Sequence, residues 1–265
     1  MDRIESPAKK LEHTIASRAD WLTRRKALLS REKELTRLHD QIAGERRALP
    51  WVRIDKDYVF EGPAGRQSLV ELFEGRRQLL MQHFMFGPGW EQGCPSCSFM
   101  ADHIDGMSAH LAQRDVAFVV VSRAPLAQIE PFRRRMGWRF PWVSSFGSEF
   151  NHDFCVSFSA QERARGEVDY NYTRQSFPVE EAPGISAFIR DDADQVFHTY
   201  STYGRGVEVM MHTYRLLDLT PKGRDEDGLG FTMEWVRHHD RYEPAPVAKA
   251  APAAGLVEGL FDTRA

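Results

Sequence analysis

The sequence has little cysteine and no long hydrophobic run. Among its 265 residues only Cys94, Cys97 and Cys155 are cysteines. Three are too few for a disulfide scaffold, so a packed core must hold the fold together. No run approaches the ~20 apolar residues that a membrane-spanning helix needs. The first residues, MDRIESPAKKLEH, also lack the apolar segment of a secretory signal. We therefore expect a cytoplasmic protein with no membrane partner.

The sequence also lacks an excess of positive charge. Its 35 Lys+Arg residues against 38 Asp+Glu give a net charge of −3, whereas proteins that hold nucleic acid through phosphate contacts carry a basic patch. We therefore expect no nucleic-acid partner. Hydrophobic residues make up 42% of the chain, which is enough for a packed core and excludes wholesale disorder.

The two ends of the chain differ from its middle. Residues 1–50 predict an N-terminal helical arm, which Pro50 ends. Apolar residues recur in this arm every seven positions, at Trp21, Leu28, Leu35, Ile42 and Leu49. The stripe predicts packing on the same domain or a homodimer formed through the helix. Residues 244–265 begin with a Pro/Ala/Lys stretch and predict a flexible tail, which leaves residues 51–243 as the main domain.

The first half of the main domain alternates between strand-like and helical patterns. Nearly continuous apolar runs at 79–86 and 116–121 have the length of strands that are buried on both faces. A shorter strand fits 140–143, after a helix at about 126–136. Between the first two strands a helix presents an apolar face at Met100, Ile104, Met107 and Leu111. This order predicts an α/β domain with parallel strand pairs and right-handed crossovers.

The second half of the main domain predicts a hairpin and an insertion. Residues 185–190 and 195–200 are strand-like and flank a short polar turn. An amphipathic helix follows at 207–217. Residues 144–184 have few clear elements and are too long for a simple loop. They predict an insertion that packs near the functional site or covers it.

The sharpest local signal is the segment Cys94-Pro95-Ser96-Cys97, between a buried strand and an amphipathic helix. Pro95 pushes Cys94 into the extended geometry of a helix N-cap and is itself tolerated at the first helical position. The N–H groups of Ser96 and Cys97, with the helix dipole, then favour a thiolate at Cys94. In such settings a cysteine pKa falls from about 8.5 to about 3.5–7.5.

These features predict that Cys94 is a nucleophilic thiolate and that Cys97, one turn inward, is the thiol that resolves a mixed disulfide. The pair would form a redox-active disulfide, with no further cofactor. A CxxC pair is also common in zinc sites, and His152 and Cys155 could complete a Cys3His set with it. Alternatively, His152 and Asp153 could orient or deprotonate a thiol.

The sequence resembles a known family along nearly its whole length. The resemblance is carried by the helical arm that ends Arg47–Trp51 and by the segments Gln82–Pro88, Gly93–Phe99, Ser122–Leu126, Met136–Trp138 and Phe150–Phe154. The chain is similar to a bacterial family catalogued as domain of unknown function eight-nine-nine, described as predicted dithiol–disulfide oxidoreductases. The resemblance implies a thioredoxin-like three-layer α/β/α sandwich with a central mixed sheet. To this fold the chain would add its helical arm and an insertion before the final hairpin.

Two positions depart from ordinary thioredoxins. Gly93 stands where they have a tryptophan before the first cysteine, and Trp90 lies further back. Ser186 falls at the position of their cis-proline, with Pro183 three residues earlier. Loss of that proline puts protein–disulfide exchange in doubt, because the proline helps to seat a peptide strand beside the disulfide and keeps metals off the thiols.

The expected activity is dithiol–disulfide exchange through Cys94 and Cys97, on an unidentified thiol or disulfide substrate. A thiol peroxidase acting on a peroxide is the alternative within enzymes. A metal-binding or interaction protein that uses the CxxC pair is the alternative outside them.

Overall fold

The computed structural model describes residues 13–243, which contain ten strands and seven α-helices. The predicted tail, residues 244–265, lies outside the described residues. The strands are β1 (Val52–Arg53), β2 (Val59–Gly62), β3 (Gly65–Ser68), β4 (Gln78–His83), β5 (Val116–Ser122), β6 (Trp142–Ser144), β7 (Val168–Tyr170), β8 (Thr173–Gln175), β9 (Gly184–Arg190) and β10 (Val196–Tyr203). The α-helices are α1 (Arg18–Arg47), α2 (Pro95–Ala101), α3 (Ser108–Ala112), α4 (Leu126–Arg135), α5 (Phe150–Asp153), α6 (Ala160–Ala164) and α7 (His212–Leu217). Shorter 3-10 helices occupy Glu71–Phe73, Gly204–Met210 and His239–Arg241.

Eight of the strands form one mixed sheet in the order β1-β10-β9-β4-β5-β6-β2-β3. β4 pairs parallel with β5, and β5 pairs parallel with β6. β9 pairs antiparallel with both β4 and β10. A parallel β4–β5 unit connected through α2, beside an antiparallel β9–β10 hairpin that leads into a final helix, is the thioredoxin topology. The predicted thioredoxin-like α/β fold is therefore confirmed.

Separate hydrophobic cores lie on the two faces of this sheet. One contains Phe84, Met100 and Phe132, so it joins the sheet to the layer of α2 and α4. The other contains Phe73 and Phe150, so it joins the sheet to the segment between β6 and β9. The predicted insertion is thus the third layer of the sandwich, on the face opposite α2.

Side chains alternate between the two cores along β4 and the residues that follow it. Leu79 and Met81 belong to one core, and Phe84 and Phe86 belong to the other. A strand covered on both faces is apolar throughout, which explains the long apolar run. The strand itself ends at His83, although the Phe84 N–H still donates to Val121 O at 2.9 Å.

The single helix predicted through Met100 and Leu111 is instead two short helices, α2 and α3. The chain turns between them because two aspartates bind the residues that follow α4. Asp102 accepts a hydrogen bond from Trp138 Nε1 at 2.8 Å. Asp105 accepts from the backbone N–H groups of Arg139 at 2.6 Å and Phe140 at 3.1 Å. Likewise, only the second half of the predicted helix 207–217 is α-helical, as α7, after a 3-10 helix.

α1 is a single 30-residue helix with no buried residue. Its apolar residues Trp21, Leu28 and Leu35 expose 47%, 55% and 52% of their surface. The last turn reaches the domain, where the Arg46 guanidinium lies 5.4 Å from the Tyr200 ring centroid. The stripe therefore does not pack on its own domain, and a homodimer formed through α1 stays a prediction. Within residues 13–243 no helix is long and apolar enough to cross a membrane.

Candidate active site

The CxxC segment lies at the start of α2, beyond the end of β4. Cys94 is the N-cap residue, with φ −58° and ψ 130°, and Pro95 is the first helical residue. The Cys94 N–H donates to Met85 O at 3.0 Å, and the Cys94 carbonyl accepts from Ser98 N–H at 2.9 Å. These two hydrogen bonds hold the first cysteine between the strand and the helix.

The environments of the two sulfurs differ. Cys94 is half-buried, whereas Cys97 is only 2% exposed. A hydrogen bond from the Cys97 thiol lowers the pKa of Cys94 to about 7, against the rise that burial causes, and the N–H groups of Cys97 and Ser96 add to the lowering. The same hydrogen bond, together with burial, raises the pKa of Cys97 well above its ordinary value. Cys94 is therefore the cysteine of the pair that ionises near neutral pH, while Cys97 keeps its proton.

The sequence attributed the activation of Cys94 to the N–H groups of Ser96 and Cys97 and to the helix dipole. The largest lowering of the Cys94 pKa comes instead from the Cys97 side chain, and the two N–H groups add to it. The spacing of the two cysteines, which places Cys97 one turn after Cys94, is therefore part of the activation.

Met85 contacts both cysteines through its backbone. Its N–H donates to Cys97 Sγ at 3.5 Å, and its carbonyl accepts from the Cys94 N–H at 3.0 Å. No sequence signal marks this role, because backbone groups of any residue can fill it. Met85 lies beside both cysteines because the chain continues in the direction of β4 for two residues beyond His83, the last residue of the strand.

Close packing explains why Gly93 replaces a tryptophan before the first cysteine. A Cβ atom on Gly93 would lie 2.5 Å from the Phe84 ring and 2.8 Å from the Phe132 ring, so no side chain fits there. The Gly93 carbonyl accepts a hydrogen bond from His238 Nε2 at 2.8 Å. Arg135 donates to the other ring nitrogen, Nδ1, at 2.9 Å, so Nε2 carries the proton. No pattern in the sequence predicts that His238 lies here.

Two neighbouring glutamates of the insertion bind different segments near the site: Glu180 binds Trp90 in the loop before Cys94, and Glu181 binds Arg123 after β5. Trp90 Nε1 donates to Glu180 Oε1 at 2.5 Å. Next to it, Glu181 is 1% exposed and accepts from Arg123 Nε at 2.7 Å and from Ser157 Oγ at 2.6 Å. Burial raises the pKa of Glu181. Arg123 thus provides the positive charge that this buried carboxylate needs.

The expectation that Ser186 stands beside the cysteines is wrong. In the antiparallel pairing of β9 with β4, Ser186 lies opposite Met81, in the middle of β4. Its Oγ lies 2.7 Å from His83 Nε2 and 2.7 Å from Ser201 Oγ, and His83 stacks on Phe150 in the core opposite α2. Pro183, directly before β9, is the residue that lines the same cavity as Cys97.

His152, Asp153 and Cys155 do not join the CxxC pair. They lie at α5 and just after it, in the layer on the other face of the sheet. Asp153 accepts from Lys56 Nζ at 2.6 Å and from Tyr58 OH at 2.6 Å. Across residues 13–243 no three side chains of His, Cys, Asp or Glu are grouped so that they could hold a metal ion. The Cys3His zinc set and the general base at His152 and Asp153 are therefore not assembled.

A cavity of about 380 Å³ opens against Cys97 and Ser96. The insertion reaches its rim through Tyr170, which the sequence did not single out. The Tyr170 hydroxyl donates to Pro183 O at 2.7 Å and accepts from the Gly204 N–H at 2.8 Å. One side chain of the opposite layer thus fixes two backbone segments beside the cysteines.

Comparison with known proteins gives a family and several solved structures. A profile described as a bacterial protein of unknown function (DUF899) matches residues 10–242. No curated protein matches the chain. Peroxidoxin BcpB from Mycobacterium tuberculosis is 14% identical, with a TM-score of 0.40 over 63% of this chain and 96% of that chain. A PrxQ variant from Xylella fastidiosa is 10% identical, with a TM-score of 0.37 over 60% and 87%. A structure described as thiol:disulfide interchange protein DsbE, from Chlorobium tepidum, is 14% identical, with a TM-score of 0.36 over 62% and 97%.

Proposed function

Since the chain belongs to the bacterial DUF899 family, whose function is unknown, we propose its activity from its own site. The site supports a dithiol–disulfide oxidoreductase of the thioredoxin-like class, in which Cys94 attacks and Cys97 resolves. One observation carries this proposal: the half-buried Cys94 is the N-cap residue of α2, and the buried Cys97 lies one turn further along the helix, where its side chain lowers the pKa of Cys94. A thiol whose pKa lies near the ambient pH is the best attacking group in disulfide exchange.

The proposed reaction has two steps. The Cys94 thiolate attacks one sulfur of a substrate disulfide, which forms a mixed disulfide and releases the first substrate thiolate. The Cys97 thiol then loses its proton and attacks the Cys94 sulfur. The second substrate thiol leaves, and the substrate has gained the two electrons that the Cys94–Cys97 pair has lost. That protein disulfide is the proposed redox group, with no further cofactor.

A thiol peroxidase remains the second candidate, because the same arrangement fits it. The Cys94 thiolate would attack a peroxide oxygen and become a sulfenic acid while an alcohol or water leaves. The adjacent Cys97 thiol would then condense with the sulfenic acid and release water. Consumption of peroxide that is faster than exchange with disulfides would favour this candidate.

The titration of Cys94 is the first test. We expect alkylation of Cys94 by iodoacetamide to follow a midpoint near 7, because the thiolate is the reacting form. In Cys97→Ala the midpoint should rise toward the ordinary value of about 8.5, since the hydrogen bond is lost. Peptide mass spectrometry at a series of pH values measures both midpoints.

Cys155→Ser is the matched control, because Cys155 lies in the opposite layer. Its Cys94 midpoint should equal that of the unaltered chain. A midpoint of about 8.5 or higher in the unaltered chain, or one that Cys97→Ala does not move, would contradict the proposed activation.

Two further predictions from the sequence concern location and assembly. Cytoplasmic location stays a prediction. The exposed apolar residues of α1 suit a homodimer formed through this helix. Sedimentation of the full chain over a range of concentrations would test this prediction.

A further inference from the structure

Four methionines line the cavity beside the cysteines. Met85, Met100, Met211 and Met233 all line it, together with Cys97. Methionine side chains are flexible and polarizable, so they adapt to apolar ligands of different shapes. The volume of about 380 Å³ falls within the range of about 300–1,000 Å³ for small-molecule pockets.

The charged side chains of the cavity already have hydrogen-bond partners within the protein. Two arginines and two glutamates line it. Glu208 accepts from Arg205 Nε at 2.9 Å and from Arg224 Nη1 at 3.3 Å. The Arg224 guanidinium also lies 4.1 Å from the Tyr214 ring centroid. Glu226 accepts from the Tyr214 hydroxyl at 2.6 Å. A negatively charged ligand would have to displace Glu208 from an arginine and would lie near the Glu226 carboxylate, whereas an uncharged ligand would do neither.

We propose that this cavity binds the apolar part of an uncharged small organic disulfide and presents its sulfurs to the CxxC pair. The inference rests on the proposed function and adds the substrate class to it. A negatively charged disulfide, such as glutathione disulfide, would find both arginines of the lining already paired with Glu208. The geometry that carries the proposal is the contact of one apolar cavity with both Cys97 and Ser96, the residues that follow the attacking cysteine.

The balanced reaction needs no additional reductant. The reduced chain and one organic disulfide give the Cys94–Cys97 disulfide and two free organic thiols. One sulfur–sulfur bond breaks and one forms. The Cys97 thiol proton passes to one released thiolate, and the other released thiolate takes its proton from water. A single turnover of pre-reduced protein is therefore sufficient to test the substrate class.

The test compares two chromogenic aromatic disulfides. Dithiodipyridine is uncharged near neutral pH, and dithiobis(nitrobenzoate) carries two negative charges. The rate constant of the pre-reduced full chain with each is measured by stopped flow, and their ratio is divided by the same ratio for N-acetylcysteine. We expect the protein to prefer the uncharged disulfide by about tenfold or more after this correction.

Two neighbouring valines give a matched pair of variants. Val207 is 3% exposed and lines the cavity, whereas Val209 is 66% exposed and points elsewhere. Val207→Phe should fill the cavity and abolish the preference, and Val209→Phe should retain it. Met233→Gln, at a half-buried position, makes the lining polar and should reduce the preference even if Val207→Phe does not fold.

A binding measurement separates failure of the cavity from failure of the redox proposal. The uncharged fluorophore N-phenylnaphthylamine is titrated into Cys94→Ser, which cannot start exchange. Saturable binding that Val207→Phe or Met233→Gln weakens would support the cavity even if no disulfide reacts. The proposed substrate class would be overturned if the protein exchanged both disulfides with no preference after the N-acetylcysteine correction and did not bind the fluorophore. The dithiol activity would still stand.

Discussion

Replacing Cys94 with serine is expected to abolish disulfide exchange, with kcat/KM reduced by about 10³-fold or more. A serine hydroxyl is not ionised near neutral pH, so the attacking group is lost. Cys97 cannot substitute for it, because Cys97 is only 2% exposed. Release of thiol from a chromogenic disulfide measures the loss.

Cys97→Ser should fail differently from Cys94→Ser. Attack by Cys94 still occurs, but nothing resolves the product, so a mixed disulfide should accumulate on Cys94. Intact-mass measurement should show this adduct in Cys97→Ser and not in Cys94→Ser. Cys155→Ser should behave like the unaltered chain. An adduct on Cys97, formed in Cys94→Ser, would reverse the assigned roles.

Removing the guanidinium of Arg123 is expected to destabilise the protein by about 3–5 kcal/mol. The Arg123→Met variant leaves the Glu181 carboxylate, 1% exposed and 2.7 Å from the lost guanidinium, without its cationic partner. Urea unfolding near neutral pH measures the loss. Arg134→Met is the matched control: Arg134 is 65% exposed in its pair with Glu130, and an exposed pair contributes about 0–1 kcal/mol.

The pH dependence of Arg123→Met identifies the cause of its instability. Burial raises the pKa of Glu181 in the folded chain, and loss of Arg123 raises it further. A carboxyl whose folded pKa lies above its unfolded pKa stabilises the fold when protonated and destabilises it as the pH rises. The deficit of Arg123→Met should therefore shrink toward about pH 5, and adding Glu181→Gln should remove most of its pH dependence. A deficit that is constant with pH would point to lost packing instead.

The local features of the site were predictable from the sequence. Extended geometry at Cys94 follows from the proline after it, and the strand before it follows from an apolar run that suits burial on two faces. The hairpin of β9 and β10 follows from two strand-like runs around a polar turn. Each of these inferences depends on neighbours within a few residues, where local chemistry decides the conformation.

The features that the sequence did not predict depend on long-range contacts. The position of Ser186 depends on the register between β9 and β4, which pairs it with Met81 and away from the cysteines. The turn after α2 depends on Asp102 and Asp105 binding residues more than 30 positions away. His238 reaches Gly93 across 145 positions. No pattern within one segment contains this information.

The layer opposite α2 illustrates the same limit. Residues 144–184 show no strong periodicity, because their helices and strands are only three to five residues long. Their apolar residues Phe150, Phe154 and Val156 are nevertheless fully or almost fully buried against the sheet. The segment therefore gains its structure from packing against the sheet that it covers. The positions of its apolar residues in the sequence do not show that it lies on the face away from the cysteines.

The proposed chemistry requires that Cys94 and Cys97 form a reversible disulfide while Cys155 does not take part. Equilibration of the full chain in dithiothreitol buffers of graded potential, followed by acid quench and peptide mapping, measures this. We expect one two-electron transition, with the loss of two hydrogens mapped to the Cys94–Cys97 peptide and Cys155 still a free thiol. Absence of this disulfide at every accessible potential, or a disulfide that includes Cys155, would contradict the account.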